Sequence, residues 1–222
     1  MASAAEHALA ATGRQERSVF AGVRRRHPEL RTQLLRKSPV LALSRAIEDE
    51  CCAQADRPLL FGSFQRERYY RSSQPRWQEL SRTARAAVVF ADFPGARPDG
   101  DAGAPLGEPL EVPVPFQAPM NREWVLVCDS ADYPGCVVGW ERPAPDAAPV
   151  PQADRRFETL WSVDPRVVRD AARICAGLAI AYSPVATQGW PELLDTPPEA
   201  SPATRRASGV LDRMLGYLTA QS

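Results

Sequence analysis

The sequence predicts an α/β fold, a single mixed β-sheet covered by helices, with a helical N-terminal arm and a C-terminal helix. Pro58–Phe64 and Ala86–Phe90 are short apolar runs of strand length. The segment between them has a helical apolar face, and two strands joined through a helix form a right-handed parallel crossover. Further along, Glu123–Cys128 and Gly135–Trp140 are separated by a short turn, which predicts an antiparallel hairpin.

Three helices have recognisable starts. Ser72–Ser73 followed by Pro75 predicts a hydroxyl N-cap and a proline in the first turn, where its missing N–H is harmless. Asp164 before Pro165 predicts the same arrangement, and Ser38–Pro39 a third start. We therefore predict helices near 39–52, 75–84 and 165–180. We predict strands near 58–65, 86–92, 123–128, 134–140 and 157–161, the last one at an edge of the sheet.

The 222 residues hold one domain of ordinary size with appendages. We divide the chain into a basic arm over 1–37, a domain over 38–180, and a proline-rich linker with an amphipathic helix over 181–222. Within the arm, His27–Leu35 predicts a short helix, and within the domain Pro94–Pro119 predicts a long loop. The apolar stripe of the final helix packs back on the domain or joins two copies in a homodimer. This stripe consists of Val210, Leu211, Met214, Leu215 and Leu218.

Charge is spread unevenly along a chain whose formal net charge is zero. Residues 1–37 carry eight Lys or Arg against three Asp or Glu, a net of +5. This patch is interpreted either as a contact for nucleic acid or as a solvated surface. The start of the chain lacks a secretory signal, and no apolar run is long enough to span a membrane. These features predict a cytoplasmic protein whose five cysteines are reduced.

The sequence lacks the motifs of most enzymes. The only histidines are His7 and His27, both in the arm, so a nucleophile–histidine pair is not expected in the domain. Neither a nucleophile elbow, nor a P-loop, nor a dinucleotide fingerprint occurs, and the cysteines lack metal-ligand spacing. We predict no catalytic residue, cofactor or metal. An enzyme that used only arginine and carboxylates would have Glu67, Glu123 and Asp164 as candidates.

A cluster of basic and aromatic residues is the candidate ligand site. Guanidinium groups suit an anion and aromatic rings suit a base, so the cluster could take a nucleotide-like ligand. The predicted site residues are Arg66, Arg68, Tyr69, Tyr70, Trp77, Glu123 and Trp124. The alternative is structural: the arginines pair with nearby carboxylates, Glu123 orients one of them, and the tryptophans belong to the core.

The chain resembles the DICT domain, a bacterial module associated with diguanylate cyclases and two-component systems. The resemblance lies in the order and spacing of five segments: Ser38–Ile47, Arg57–Arg68, Trp77–Val89, Glu123–Val127 and Arg155–Ala172. It also resembles the stand-alone versions found in high-GC actinobacteria, which agrees with the arginine, alanine and proline bias. The resemblance implies a sensory α/β domain and supplies no catalytic residues.

These observations together predict a non-enzymatic sensory module for signal transduction. It would bind a small ligand or a partner protein and act in trans. The alternative is a nucleic-acid-associated transcriptional regulator that uses the basic arm.

Overall fold

The sheet has seven strands in the order β1-β7-β6-β5-β2-β3-β4. The computed structural model describes residues 17–94, 107–143, 151–183 and 190–195, together with Pro198 and Leu211. The strands are β1 Gln33–Arg36, β2 Leu59–Arg66, β3 Ala86–Asp92, β4 Leu110–Pro113, β5 Glu123–Asp129, β6 Gly135–Arg142 and β7 Arg156–Ser162. The α-helices are α1 Val19–Arg26, α2 Lys37–Ile47, α3 Glu67–Thr83, α4 Pro165–Tyr182 and α5 Trp190–Asp195. Strand β2 pairs in parallel with β3 and β3 with β4, whereas the other pairs are antiparallel.

Helices cover both faces of the sheet. Helices α1, α4 and α5 pack on one face, and α2 and α3 pack on the other. Alternate residues of β2 point to opposite cores, with Phe61 under α4 and Leu60 under α3. Because both faces are covered, the central strands are apolar at nearly every position, which is why they stand out in the sequence. The predicted α/β fold, the parallel crossover and the β5–β6 hairpin are confirmed.

Helix α4 forms as its first residues predict. Asp164 is the N-cap, and its carboxylate accepts a hydrogen bond from the backbone N–H of Arg166. Helix α2 covers Lys37–Ile47 and is followed without a break by a π-helical segment over Glu48–Cys52. Together the two segments correspond to the helix predicted near 39–52. Short π-helical segments often occur at functional sites.

The start predicted for the helix near 75–84 is wrong. Helix α3 begins at Glu67 directly after β2, and Pro75 lies inside it. The missing N–H of Pro75 removes the hydrogen bond to the carbonyl four residues earlier, at Arg71. The helix continues through this position because its buried face, which includes Tyr70 and Trp77, packs on both sides of the proline.

Both edges of the sheet differ from the prediction. Strand β7 lies inside the sheet, because β1 pairs with its outer side, and residues 33–36 are a strand rather than part of a short helix. At the other edge, β4 lies within the predicted Pro94–Pro119 loop and pairs with β3. Each missed strand has only four residues, too few for a repeating apolar pattern to be recognised.

The basic segment and the C-terminal segment carry structure of their own. Residues 17–37 contain α1 and β1, and Val19 and Val23 of α1 are fully buried against α4. The predicted linker after α4 contains α5, whose Trp190 and Leu194 join the same core. The predicted final helix lies outside the described residues except for Leu211, which is helical and exposed.

An ion pair joins the end of α1 to α4. Nε2 of His27 lies 2.9 Å from Oδ2 of Asp170, and Nδ1 lies 3.4 Å from the carboxylate of Glu29. The hydrogen bond to Asp170 raises the pKa of His27 despite partial burial. Burial alone would raise the pKa of Asp170, but the hydrogen bond and charge of His27 outweigh it and leave that pKa lowered.

We predict that this pair makes stability depend on pH. Because the folded-state pKa of His27 is raised, its stabilisation is complete below about pH 6.5 and is lost as pH rises through the raised value. Asp170→Asn should remove this dependence and lower the free energy of unfolding by about 1 to 2 kcal/mol below pH 6.5. Urea denaturation between pH 5 and 9 measures it. Glu29→Gln removes the weaker of the two carboxylate contacts of His27 and should change the pH profile less, and an unchanged pH profile in Asp170→Asn would contradict the assignment.

Candidate functional site

A cavity of about 240 Å³ lies between α2 and α3, against β2 and β5. We call it the α2–α3 cavity. Its lining residues are Lys37, Leu41, Ser44, Arg45, Glu48, Ser63, Phe64, Gln65, Tyr69, Ser72, Ser73, Trp77, Trp124, Val125, Leu126 and Arg155. Helix α2 contributes side chains at intervals of three and four residues, which is one face of the helix.

The two helices are linked at both ends of the cavity. At one end, the ammonium of Lys37 lies 5.5 Å from the centre of the Tyr69 ring. At the other end, Arg76 of α3 donates to Glu48 and, at 2.6 Å, to Asp49. The cavity therefore extends along two helices that lie side by side.

A β-bulge fixes the floor of the cavity. The β2–β3 register shifts between Ser63 and Arg66, and Gln65 has a left-handed backbone with φ of 62°. Left-handed backbone in a residue other than glycine costs energy and is concentrated at functional sites. The bulge turns the chain from β2 directly into α3, so Gln65 at the base of the cavity and Tyr69 on its wall are close in sequence.

The buried side chain of Gln65 is tied to the far half of the sheet. Its Oε1 accepts a 2.5 Å hydrogen bond from Arg155. Arg155 also makes a two-pronged ion pair with Glu141, with Nε 2.6 Å from Oε1. The backbone carbonyl of Arg155 accepts the N–H of Lys37 at 3.0 Å, which fixes the first residue of α2. One cluster thus positions both the floor and the start of α2.

The apolar wall is aromatic. Trp77 lies over Gly62, and a Cβ at Gly62 would lie 2.4 Å from the Trp77 ring. Phe64 packs edge-on against Trp77, and Nε1 of Trp124 donates to the hydroxyl of Ser44 at 2.8 Å. The N–H of Trp77 is buried and has no hydrogen-bond partner within the described residues. A buried donor left unpaired is unfavourable by about 1 to 3 kcal/mol.

Three of the seven predicted site residues line this cavity: Tyr69, Trp77 and Trp124. The other four lie elsewhere. Arg66 pairs with Asp92 at 2.8 Å and stacks on Phe116. Arg68 donates to the hydroxyl of Tyr69 on the exposed side of α3. Tyr70 is buried among aromatic rings, and burial raises its pKa to about 12.

Glu123 lies under the opposite face of the sheet. Its carboxylate accepts hydrogen bonds from the hydroxyl of Ser18 and from the backbone N–H groups of Val19 at 3.0 Å and Phe20 at 3.3 Å. Burial raises its pKa to about 7, against the opposing effect of these bonds. The expectation that Glu123 orients an arginine is wrong, because this carboxylate holds the N-terminus of α1.

Sequence reasoning missed Lys37 and Arg155. The signal for Lys37 was present, since it is the only lysine beside 26 arginines. Arg155 had no signal, because its importance arises from contacts with residues distant in sequence.

The fold places this protein in the class of α/β domains that have a single β-sheet with helices on both faces. A family model described as the sensory domain in diguanylate cyclases and two-component systems, DICT, matches residues 17–142. The chain belongs to this family of sensory domains. No curated protein and no solved structure matches the chain. No helix among the described residues is both long and apolar enough to cross a membrane.

The five cysteines are free and buried, and no metal-binding group of His, Cys, Asp or Glu occurs in the described parts of the chain. Burial raises the pKa of Cys51 to about 11 and that of Cys136 to about 12. A hydrogen bond with Cys128 and burial raise the pKa of Cys52.

We predict that these thiols are inert in the folded protein. All five are at most 9% exposed, so a bulky reagent cannot reach them in the native state. For Cys51, Cys52, Cys136 and Cys175 a raised pKa also disfavours the thiolate, which is the reactive form. An aromatic disulfide reagent should therefore modify none of them quickly in the native state and all five in guanidinium. Rapid native modification of Cys51, the most exposed of the five at 9%, would contradict this.

We also predict that Gly62→Ala destabilises the protein by about 1 to 3 kcal/mol, because the new methyl group overlaps Trp77. In a Trp77→Leu background the same change should be much less destabilising, which gives a coupling of about 0.5 to 3 kcal/mol in a double-mutant cycle. Urea denaturation measures all four proteins. Gly139→Ala is the control: its Cβ would meet Thr159 and Phe157, so its effect should be additive with Trp77→Leu. Additivity at Gly62 as well would contradict the packing.

Proposed function

We propose that this chain is a non-enzymatic sensory module that binds a small ligand in the α2–α3 cavity and signals to a partner protein in trans. The single observation that carries this proposal is the cavity itself. It combines an aromatic wall of Phe64, Trp77 and Trp124 with the hydroxyl of Tyr69 and the ammonium of Lys37. A concave site with a few converging polar groups is the usual form of a small-molecule site.

A route from the cavity to the opposite face supports signalling. Ser63 is one of the lining residues, and its hydroxyl, on the opposite face of β2, donates to the carbonyl oxygen of Met120 at 3.3 Å and lies 3.5 Å from that of Glu123. The side chain of Glu123 then holds the N-terminus of α1. In this proposal, a ligand that displaces Ser63 changes how firmly α1 is held, and a partner protein reads that change.

The nucleic-acid alternative has weaker support. It requires free basic side chains in residues 1–37, but Arg24 pairs with Glu158 at 2.8 Å and Arg26 donates to the carbonyl oxygen of Gly22 at 3.1 Å. A DNA affinity that falls steeply with salt and is lost on deleting residues 1–37 would favour this alternative.

We predict that gently purified protein carries a small molecule that Ser73→Trp excludes. Ser73 lies on the cavity side of α3, so a tryptophan there fills the cavity. Native mass spectrometry should show an extra mass on the wild type that is lost on denaturation and absent from Ser73→Trp. The control is Gln74→Trp, at the next position on α3 and outside the lining.

Hydrogen exchange tests the transmission step. Ligand-loaded wild type and Ser73→Trp should differ in the protection of α1 amides, and Gln74→Trp should match the wild type. If all three proteins have the same clean mass and the same exchange, ligand sensing through this cavity is wrong.

A further inference from the structure

The α2–α3 cavity has a cationic end and an aromatic end. Tyr69 and Trp77 are eight residues apart on α3, which is about 12 Å along the helix axis. Lys37 lies beside Tyr69, and Gln152 bridges the two by accepting from the ammonium at 2.9 Å and donating to the phenol oxygen at 2.8 Å. Trp77 lies further along, opposite α2.

Lys37 differs from the other cations of the lining. Arg45 pairs with Glu48, and Arg155 pairs with Glu141. Lys37 has no carboxylate partner within the described residues. Its ammonium contacts the neutral amide oxygen of Gln152 and the ring of Tyr69. An ammonium group has three donors, so it retains the capacity to bind an anion.

The surroundings of Lys37 also favour negative charge. Lys37 is the first residue of α2, where the helix dipole is positive. The cavity lining contains three cationic side chains and one carboxylate, Glu48. Glu48 is itself neutralised by Arg45 and Arg76. A cationic ligand would therefore meet uncompensated positive charge.

The volume limits the size of the ligand. An apolar cavity of about 150 Å³ holds one benzene molecule. The 240 Å³ here suits one or two fused rings with a short acidic substituent, and it is too small to enclose a nucleotide with its sugar and phosphate. Aromatic rings pack edge-on or offset against other rings, which Trp77 and Trp124 can provide.

We propose that the α2–α3 cavity binds a small planar aromatic carboxylic acid, with its carboxylate on Lys37 and its ring against Trp77 and Trp124. This inference rests on the proposed sensory function of the same cavity and specifies its ligand class. Lysine suits the role because its compact charge can approach a single carboxylate from several directions.

The experiment compares three probes of nearly equal shape: indole-3-acetate, its neutral amide and the cationic tryptamine. Titrations on the full chain follow the indole N–H signals of Trp77 and Trp124 by NMR, assigned with Trp77→Phe and Trp124→Phe, and calorimetry gives the affinities. We expect the acid to bind at least about ten-fold more tightly than the amide and to shift both signals, and tryptamine not to bind. Lys37→Gln should abolish the preference for the acid.

The matched control is Arg31→Gln, which removes one positive charge from an exposed position outside the cavity and should keep the full preference. Equal binding of acid and amide, or a preference that survives Lys37→Gln, would overturn the aromatic-acid assignment. A co-purifying ligand that Ser73→Trp excludes but that carries no acid group would do the same, while leaving the sensory function intact. If benzoate and 2-naphthoate also fail to shift the signals and no ligand co-purifies, both proposals fail.

Discussion

The contact between Gln65 and Arg155 is the constraint on which the rest of this structure depends. Gln65 is buried in a left-handed conformation at the end of β2, and its side chain accepts from a guanidinium that is already paired with Glu141. Because Arg155 also fixes the first residue of α2 through its carbonyl, this contact joins the two halves of the sheet to both helices of one face. The two helices cannot close over the sheet completely, and the space that remains is the α2–α3 cavity.

The opposite face is organised around a different buried polar group. Glu123 satisfies the free N–H groups at the start of α1, a role that a carboxylate fills well at the positive end of a helix. The two faces are connected through Ser63, whose hydroxyl contacts the carbonyl oxygen of Glu123. In the proposed sensory mechanism, this short chain of contacts is the path that couples the α2–α3 cavity to α1.

Most of the fold could be predicted from the sequence, but of the residues that line the candidate site only Tyr69, Trp77 and Trp124 were predicted. Local signals identified α4 through Asp164 and the central strands through their continuous apolar runs. The same reasoning placed the anion site on Arg66 and its neighbours, because charge and aromatic rings are adjacent there in sequence. In the structure Arg66 pairs with Asp92. Among the described residues that line the cavity, the cation without a carboxylate partner is Lys37, which lies beside Tyr69 because α2 and α3 pack together.

The sequence by itself determined the parallel crossover and the hairpin, and the resemblance of five of its segments indicated the family. The crossover and the hairpin follow from apolar patterns and turn signals that act within a few residues, as does the start of α4 at Asp164–Pro165. Only the tertiary structure decided which polar groups meet. The edge strand β1, the position of Glu123 beneath α1 and the cluster around Arg155 depend on contacts between residues far apart in sequence, such as the pairing of Gln33 with Thr159. Side chains so distant in sequence come together only when the whole sheet has formed, so local patterns carry no trace of them.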